Sequence, residues 1–174
     1  MKAIERRKTQ WHLGGTAKEL AFAEFQHAVI CLAEAFYRHA GKSLSMIAED
    51  PNLSGYDSVI LHVIHMGKRP KSITEIQHFT NRGDVSNIQY SMRKLLNAGL
   101  IKRAARPEGR SASYELTKKG IGIAARYVAA RQELLSRFPV EEEQLIGRLK
   151  DGEDLMILLT GLYDQASRTL MTRV

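Results

Sequence analysis

Residues 84–97 carry hydrogen-bonding side chains at helical spacing, with an apolar stripe on the other side. At about 100° per residue, Ile88, Met92 and Leu95 fall on one face with Val85 and Leu96 beside them. The opposite face has no acid and consists of Ser86, Tyr90, Arg93 and Asn97, with Gln89 at one border and Asn87 and Lys94 at the other. Side chains of these types can bond base edges in a major groove or phosphate oxygens. A solvated helix face is the alternative, because every surface helix has a polar side.

Basic charge is concentrated around this segment. The chain has 174 residues and a net charge of +7. Residues 68–119 hold 12 of the 26 Lys and Arg residues and 4 of the 19 Asp and Glu residues, a local charge of +8. The remainder of the chain sums to −1. A concentrated basic block is typical of contact with a phosphate backbone, which favours double-stranded DNA as a partner over a merely solubilising surface.

The elements around the polar face predict a winged helix. Ser72 and Glu75 form a capping-box pattern that begins a short helix to about Phe79. Residues 81–84, NRGD, predict a turn with Asp84 as N-cap of the next helix, which stops at Gly99. The segments 100–105 and 112–117 predict two strands joined by a turn-rich linker, RPEGRS. A helix–turn–helix followed by such a ribbon is a winged helix.

The flanking segments predict further helices. We expect a first helix over 17–40 ended by Gly41, an irregular stretch 42–53, and a second helix capped by Ser54 and closed by Gly67. KRPKS at 68–72 predicts a linker. Thr117 caps a helix to about Phe138, residues 151–154 interrupt the next one, and the last covers 153–171. The fold class is therefore mainly α with a small β-wing: a basic arm, 1–16; a first helix and connection, 17–53; a winged helix-turn-helix lobe, 54–120; and C-terminal helices, 121–174.

A specific resemblance lies in MRKLLNAGLIKRAARPEGRSASYELTKKG, residues 92–120. This segment resembles the MarR family of winged-helix transcription regulators, whose recognition helix ends in L-x-x-x-G-L before a basic strand, a wing arginine and L-T-x-x-G. The matching positions here are Leu95, Gly99, Leu100, Arg103, Arg110, Leu116, Thr117 and Gly120. Glu108 departs from the aspartate that the family usually has in the wing.

The resemblance implies a homodimer in which 17–53 contributes a dimerisation helix and 121–174 the C-terminal dimerisation helices. Two lobes then read a pseudo-palindrome with half-sites about one helical turn apart. It also implies a repressor, with a small-molecule effector between dimer helices and lobe. We expect base reading by Ser86, Asn87, Gln89 and Tyr90, and a phosphate contact by Arg93. Arg110 at the wing suits a narrow minor groove, and Arg103 and Arg106 add backbone charge. A winged-helix protein–protein adaptor is the alternative of a different class.

Other candidate chemistry is sparse. Cys31 lies mid-helix among apolar residues, which predicts an inert, buried thiol; a cysteine-based redox sensor is the alternative. Candidate residues for the effector pocket are Cys31, His39, His62, His65 and Tyr127. His62 and His65 lack the compact ligand set of a metal site, and no pattern predicts a catalytic residue or a cofactor. Hence we expect a protein that is not an enzyme.

Composition also predicts a location. No apolar run approaches the roughly 18–20 residues of a membrane span, the N-terminus has no apolar signal region, and a single cysteine excludes an internal disulfide. These features predict a cytoplasmic protein. The sequence leaves open the role of Trp11 in the N-terminal arm.

Overall fold

The computed structural model describes residues 12–105 and 112–171. The chain divides into two compact units, Met1–Ala130 and Arg131–Val174. Its elements, in chain order, are α1 (Ala17–Ala48), α2 (Gly55–His65), a 3-10 turn (Met66–Lys68), β1 (Lys71–Ser72), α3 (Ile73–Thr80), α4 (Val85–Asn97), β2 (Ile101–Arg103), β3 (Ser113–Leu116), α5 (Lys118–Leu135) and α6 (Glu142–Met171). The fold is mainly helical with a small sheet, as the sequence predicts.

Local capping places the helices of the first unit. Capping boxes begin α1 at Thr16, α2 at Ser54 and α3 at Ser72, each with an acidic residue three positions on. The Thr117 hydroxyl accepts a hydrogen bond from the Gly120 amide at 3.0 Å, which confirms its capping role at α5. In each capping box the hydroxyl of the cap accepts from the amide three residues on, and the acidic side chain there accepts from the amide of the cap, so two backbone donors at the helix start are paired.

The sheet is antiparallel with the order β1-β3-β2. Ile101 pairs with Leu116 and Arg103 with Tyr114, so β2 and β3 form the two arms of the predicted wing. One apolar core joins the helix–turn–helix to this sheet, and its members include Leu44, Ile60, Leu61, Ile64, Ile76, Ile88, Leu95, Leu100 and Leu116. The core fixes the inner face of α4 and leaves its other face to solvent.

Two predicted helix breaks are wrong. Gly41 does not end the first helix, because α1 continues to Ala48. Gly41 instead permits close packing: a Cβ there would lie 2.7 Å from the Gly55 nitrogen at the start of α2. Residues 151–154 do not interrupt a helix, since α6 runs unbroken through them. They contain no proline, and a glycine such as Gly152 weakens a helix by only about 1 kcal/mol.

The linker predicted at 68–72 contains a strand instead. Lys71 and Ser72 form β1 and pair with Tyr114 and Ser113 of β3. Lys71 is buried, and its ammonium donates to the carbonyls of Met66 and Arg69. These bonds compensate the burial of the charge. The segment therefore forms the third strand of the sheet, although its basic composition indicates an exposed linker.

Candidate nucleic-acid interface

Helix α4 begins at a strong cap. The Asp84 carboxylate accepts hydrogen bonds from the Ser86 amide at 2.8 Å and the Asn87 amide at 3.2 Å. The Asn87 side-chain amide also donates to Asp84. The negative charge of Asp84 is therefore engaged at the helix start, where the helix dipole favours it. Asn87 is tied to this cap in the unbound chain.

The two faces of α4 separate as the helical wheel predicts. Ile88, Met92 and Leu95 are buried in the core. The opposite side chains are exposed: Ser86, Asn87, Gln89, Tyr90, Arg93 and Asn97. Tyr90 exposes 57% of its surface, so both its ring and its hydroxyl are accessible. Side-chain donors, acceptors and one cation therefore line a helix face that contains no acid.

Tyr90 lies close to two cations. The Arg93 guanidinium is 5.9 Å and the Lys94 ammonium 5.6 Å from the centroid of its ring. At these distances a cation is attracted to the electron-rich face of an aromatic ring. The positive charge therefore borders the aromatic side chain on the exposed face.

Lys94 also makes a contact that the sequence does not predict. Its ammonium lies 2.5 Å from Oδ2 of Asp57, a fully buried carboxylate in α2. Position on the helical wheel indicates only that Lys94 stands at the border of the polar face. The two residues are thirty-seven positions apart in sequence, so their pairing depends on how α2 packs against α4.

The wing is described in part. Arg103, at the end of β2, is exposed. Its neighbour Lys102 forms an exposed ion pair with Glu115 of β3 at 3.1 Å. The other two arginines assigned to the wing, Arg106 and Arg110, lie outside the described residues.

A second unpredicted contact joins α1 to the turn between α3 and α4. The Arg82 guanidinium lies 4.3 Å from the centroid of the Tyr56 ring, and Tyr56 packs on Tyr37 with centroids 4.3 Å apart. Burial raises the pKa of the Tyr37 hydroxyl; Tyr56 adds to the rise, and Arg82 opposes it. An arginine in the turn therefore stacks on an aromatic ring of α2.

The candidate effector-pocket residues divide among separate contacts. His62 and Tyr127 stack with ring centroids 4.4 Å apart, which brings α2 against α5. His39 lies 3.5 Å from the Ser43 hydroxyl within α1. His65 borders an open groove, which is also lined by Lys68, Arg69, Leu116 and Ile121. Of the five candidate residues, His62 and Tyr127 are therefore the pair whose rings contact each other in the described structure.

Cys31 differs from its prediction. The thiol is exposed rather than buried, because the middle of α1 extends beyond the core of its unit. Its Sγ lies 3.6 Å from Nε2 of His27, one helical turn earlier. The expectation of a buried cysteine is therefore wrong for the single chain.

The described residues contain neither a cluster of metal ligands nor a helix that could span a membrane. Within residues 12–105 and 112–171, three or more His, Cys, Asp or Glu side chains nowhere cluster as metal ligands would. Among the helices of those same ranges, none has the length and apolar character to cross a bilayer.

Comparison with known proteins agrees with this geometry. Residues 53–120 match the family model of a winged helix DNA-binding domain, a binding module rather than an enzyme. No curated protein matches the chain.

Solved structures share the fold. A MarR family transcription regulator aligns with a TM-score of 0.67 at 18% identity, covering 86% of this chain and 99% of that chain. FabT of Streptococcus pneumoniae, solved in complex with DNA, has a TM-score of 0.60 at 19% identity and covers 81% and 99%. MarR of Staphylococcus aureus, in complex with salicylate and kanamycin, has a TM-score of 0.60 at 18% identity and covers 82% and 95%.

Proposed function

We propose that this chain, a winged-helix protein with the fold of the MarR-family regulators, is a transcription regulator that binds double-stranded DNA with sequence preference. The observation that carries the proposal is the exposed, acid-free face of α4 within a winged helix DNA-binding domain. Such a helix enters a major groove with its N-terminal residues first. FabT, which shares the fold, has been solved with DNA.

The residues of α4 take different roles in this proposal. Ser86, Asn87, Gln89 and Tyr90 lie in its first half and read base edges. Asn87 must exchange its bond with Asp84 for a bond to a base, so it contributes less than Gln89. Arg93 lies further along and contacts phosphate. Arg103 and Arg106 add backbone charge, and Arg110 probes the minor groove.

The protein acts as a homodimer on a pseudo-palindromic operator. Two observations support this, one from each unit. In α1, Ile30, Leu32 and Phe36 are exposed. In α6, large apolar side chains are exposed along the helix, among them Leu155, Leu158, Leu162 and Leu170. Contiguous exposed apolar faces mark interaction sites, and a symmetric dimer covers the same surface on both copies.

Repression and release by a small molecule complete the proposal. The stacked pair His62 and Tyr127 joins α2 to α5, so a ligand there can bias how α2 of the lobe packs against α5. Salicylate is bound by the Staphylococcus aureus protein that shares the fold. Release through oxidation of Cys31 is the alternative, supported by the exposure of the thiol and its contact with His27. A cytoplasmic location follows from the proposed role.

The test begins with selection of duplexes from random DNA by the wild-type protein. Affinity for the selected duplex and for a scrambled one is then measured at several salt concentrations. Gln89→Ala should lower the ratio of the two affinities by the equivalent of about 1–3 kcal/mol. Arg103→Ala should weaken both duplexes alike and reduce the salt slope by about one unit. Arg110→Ala should cost most on sites with A·T-rich flanks.

Melting curves establish that each variant is folded. If folded variants bind as the wild type does, α4 is not the reading element. Equal affinity of the wild type for all sequences, or none for any, would favour the protein–protein adaptor.

A further inference from the structure

The Asp57 carboxylate is the most deeply buried acid in the described lobe. Its Oδ2 atom accepts hydrogen bonds from the Ser54 amide and the Ser54 hydroxyl, both at 2.7 Å, and from the Lys94 ammonium. The bond from the Ser54 amide belongs to the capping box that begins α2. A buried carboxylate requires a compensating cation, so the third bond gives Lys94 a fixed place.

Lys94 connects this buried carboxylate to the exposed face of α4. Its side chain is 18% exposed, which allows the ammonium to contact Asp57 on one side and approach the Tyr90 ring on the other. Arg93 approaches the same ring. A series of contacts therefore runs from the start of α2 to the aromatic residue that we assign to base reading.

The same geometry removes Lys94 from the set of phosphate contacts. Its charge is balanced by Asp57 at 2.5 Å, within the lobe. A cation already paired with a buried carboxylate releases few counterions when DNA binds, since it does not neutralise a phosphate. Sequence position alone would count Lys94 among the basic residues that bind DNA.

We propose that Asp57 and Lys94 are positioning residues for DNA reading: their buried ion pair sets the orientation of α4 and of the Tyr90 side chain, without contacting DNA. The inference rests on the proposed function and deepens it, because it assigns sequence preference to a contact remote from the bases. Loss of the pair should reduce discrimination between sequences while leaving the electrostatic attraction to DNA intact.

The experiment uses the full chain, a duplex selected from random DNA by the wild type, and a scrambled duplex. Lys94→Met should reduce the ratio of the two affinities about tenfold, the size of one base contact, mostly through the selected duplex. The salt slope on scrambled DNA should stay that of the wild type. Lys102→Met is the matched control, because Lys102 forms an exposed ion pair in the same lobe. It should leave the ratio unchanged.

A second variant covers the case in which Lys94→Met unfolds around an unpaired carboxylate. The double substitution Asp57→Asn with Lys94→Met leaves no buried charge and keeps an acceptor for Ser54. It should fold and show the same reduced ratio. A folded double variant with the wild-type ratio would overturn the proposal.

A salt slope lowered by about one unit in Lys94→Met would also overturn it, by making Lys94 a phosphate contact. Failure of the wild type to enrich any duplex would instead reject the proposed function, and this inference with it. An unchanged ratio in the variants, after successful selection, rejects the inference alone.

Discussion

Gly55 is the position at which a single methyl group tests the packing beneath the reading lobe. It is the first residue of α2 and faces the backbone of α1. A Cβ at this position would lie 2.1 Å from the Tyr37 carbonyl oxygen and 2.8 Å from the Tyr37 Cα. These are backbone atoms of a continuous helix and cannot rotate away. Gly55→Ala therefore forces α1 and α2 apart.

The size of the effect follows from the overlap. The closest carbon–oxygen contacts in proteins are about 3.3 Å, so the helices must separate locally by roughly 1 Å. Overpacking of this kind typically costs about 1–3 kcal/mol. We expect the upper end, about 3 kcal/mol, because the obstacle is backbone. For a chain of this length that corresponds to a decrease in melting temperature of roughly 6–12 °C.

The assay is thermal and urea unfolding of wild type and variant at one protein concentration, since association would shift the transition. Gly122→Ala is the matched control. Gly122 also lies in a helix, α5, but nothing is within 4 Å of its added Cβ. The control should be neutral or stabilising by up to about 1 kcal/mol, as alanine favours helix.

Displacement of α2 should also affect binding. Tyr56 and Asp57 follow Gly55 directly and hold Arg82 and Lys94, so a folded Gly55→Ala protein should lose sequence preference as Lys94→Met does. A Gly55→Ala melting temperature within about 2 °C of wild type would refute the close approach of α1 and α2.

Two further predictions concern the capping of α3 and the assembly. Hydrogen bonds from the Ser72 amide and then from Arg69 lower the pKa of Glu75 from its usual 4.5 to about 2, so its carboxylate stabilises the fold above pH 4.5 and ceases to as pH falls towards 2. Glu75→Gln should therefore lower the unfolding free energy at pH 7 by about 1 kcal/mol, a value reduced by solvent screening of this part-exposed side chain. In urea titrations the difference between variant and wild type should vanish near pH 2. A difference that is constant with pH would contradict the assignment. Deleting residues 142–174, which removes α6, should convert a dimer to monomer or aggregate in sedimentation runs, and a well-folded, DNA-competent dimer after the deletion would disprove its role.

Much of the lobe is determined by local sequence. Ser54, Ser72 and Asp84 are identifiable as N-caps because a cap acts on amides two or three residues away, so its partners are adjacent in the chain. The two faces of α4 follow from helical periodicity alone, which assigns Ile88 and Tyr90 to opposite environments before any tertiary contact is known.

Tertiary structure decided what depends on distant partners. A glycine such as Gly41 is typical of a helix end, yet α1 continues past it. The start of α2 packs against Gly41, where a side chain would not fit. Lys71 and Lys94 are both basic residues in a basic block. Only the approach of β3 and α2 makes one a buried strand residue and the other the partner of Asp57. Cys31 has apolar neighbours in sequence, but it lies on a part of α1 beyond the core and is exposed. Periodicity and capping are read within one or two turns of chain, whereas burial and ion pairing depend on which surfaces meet, and only the folded arrangement determines that.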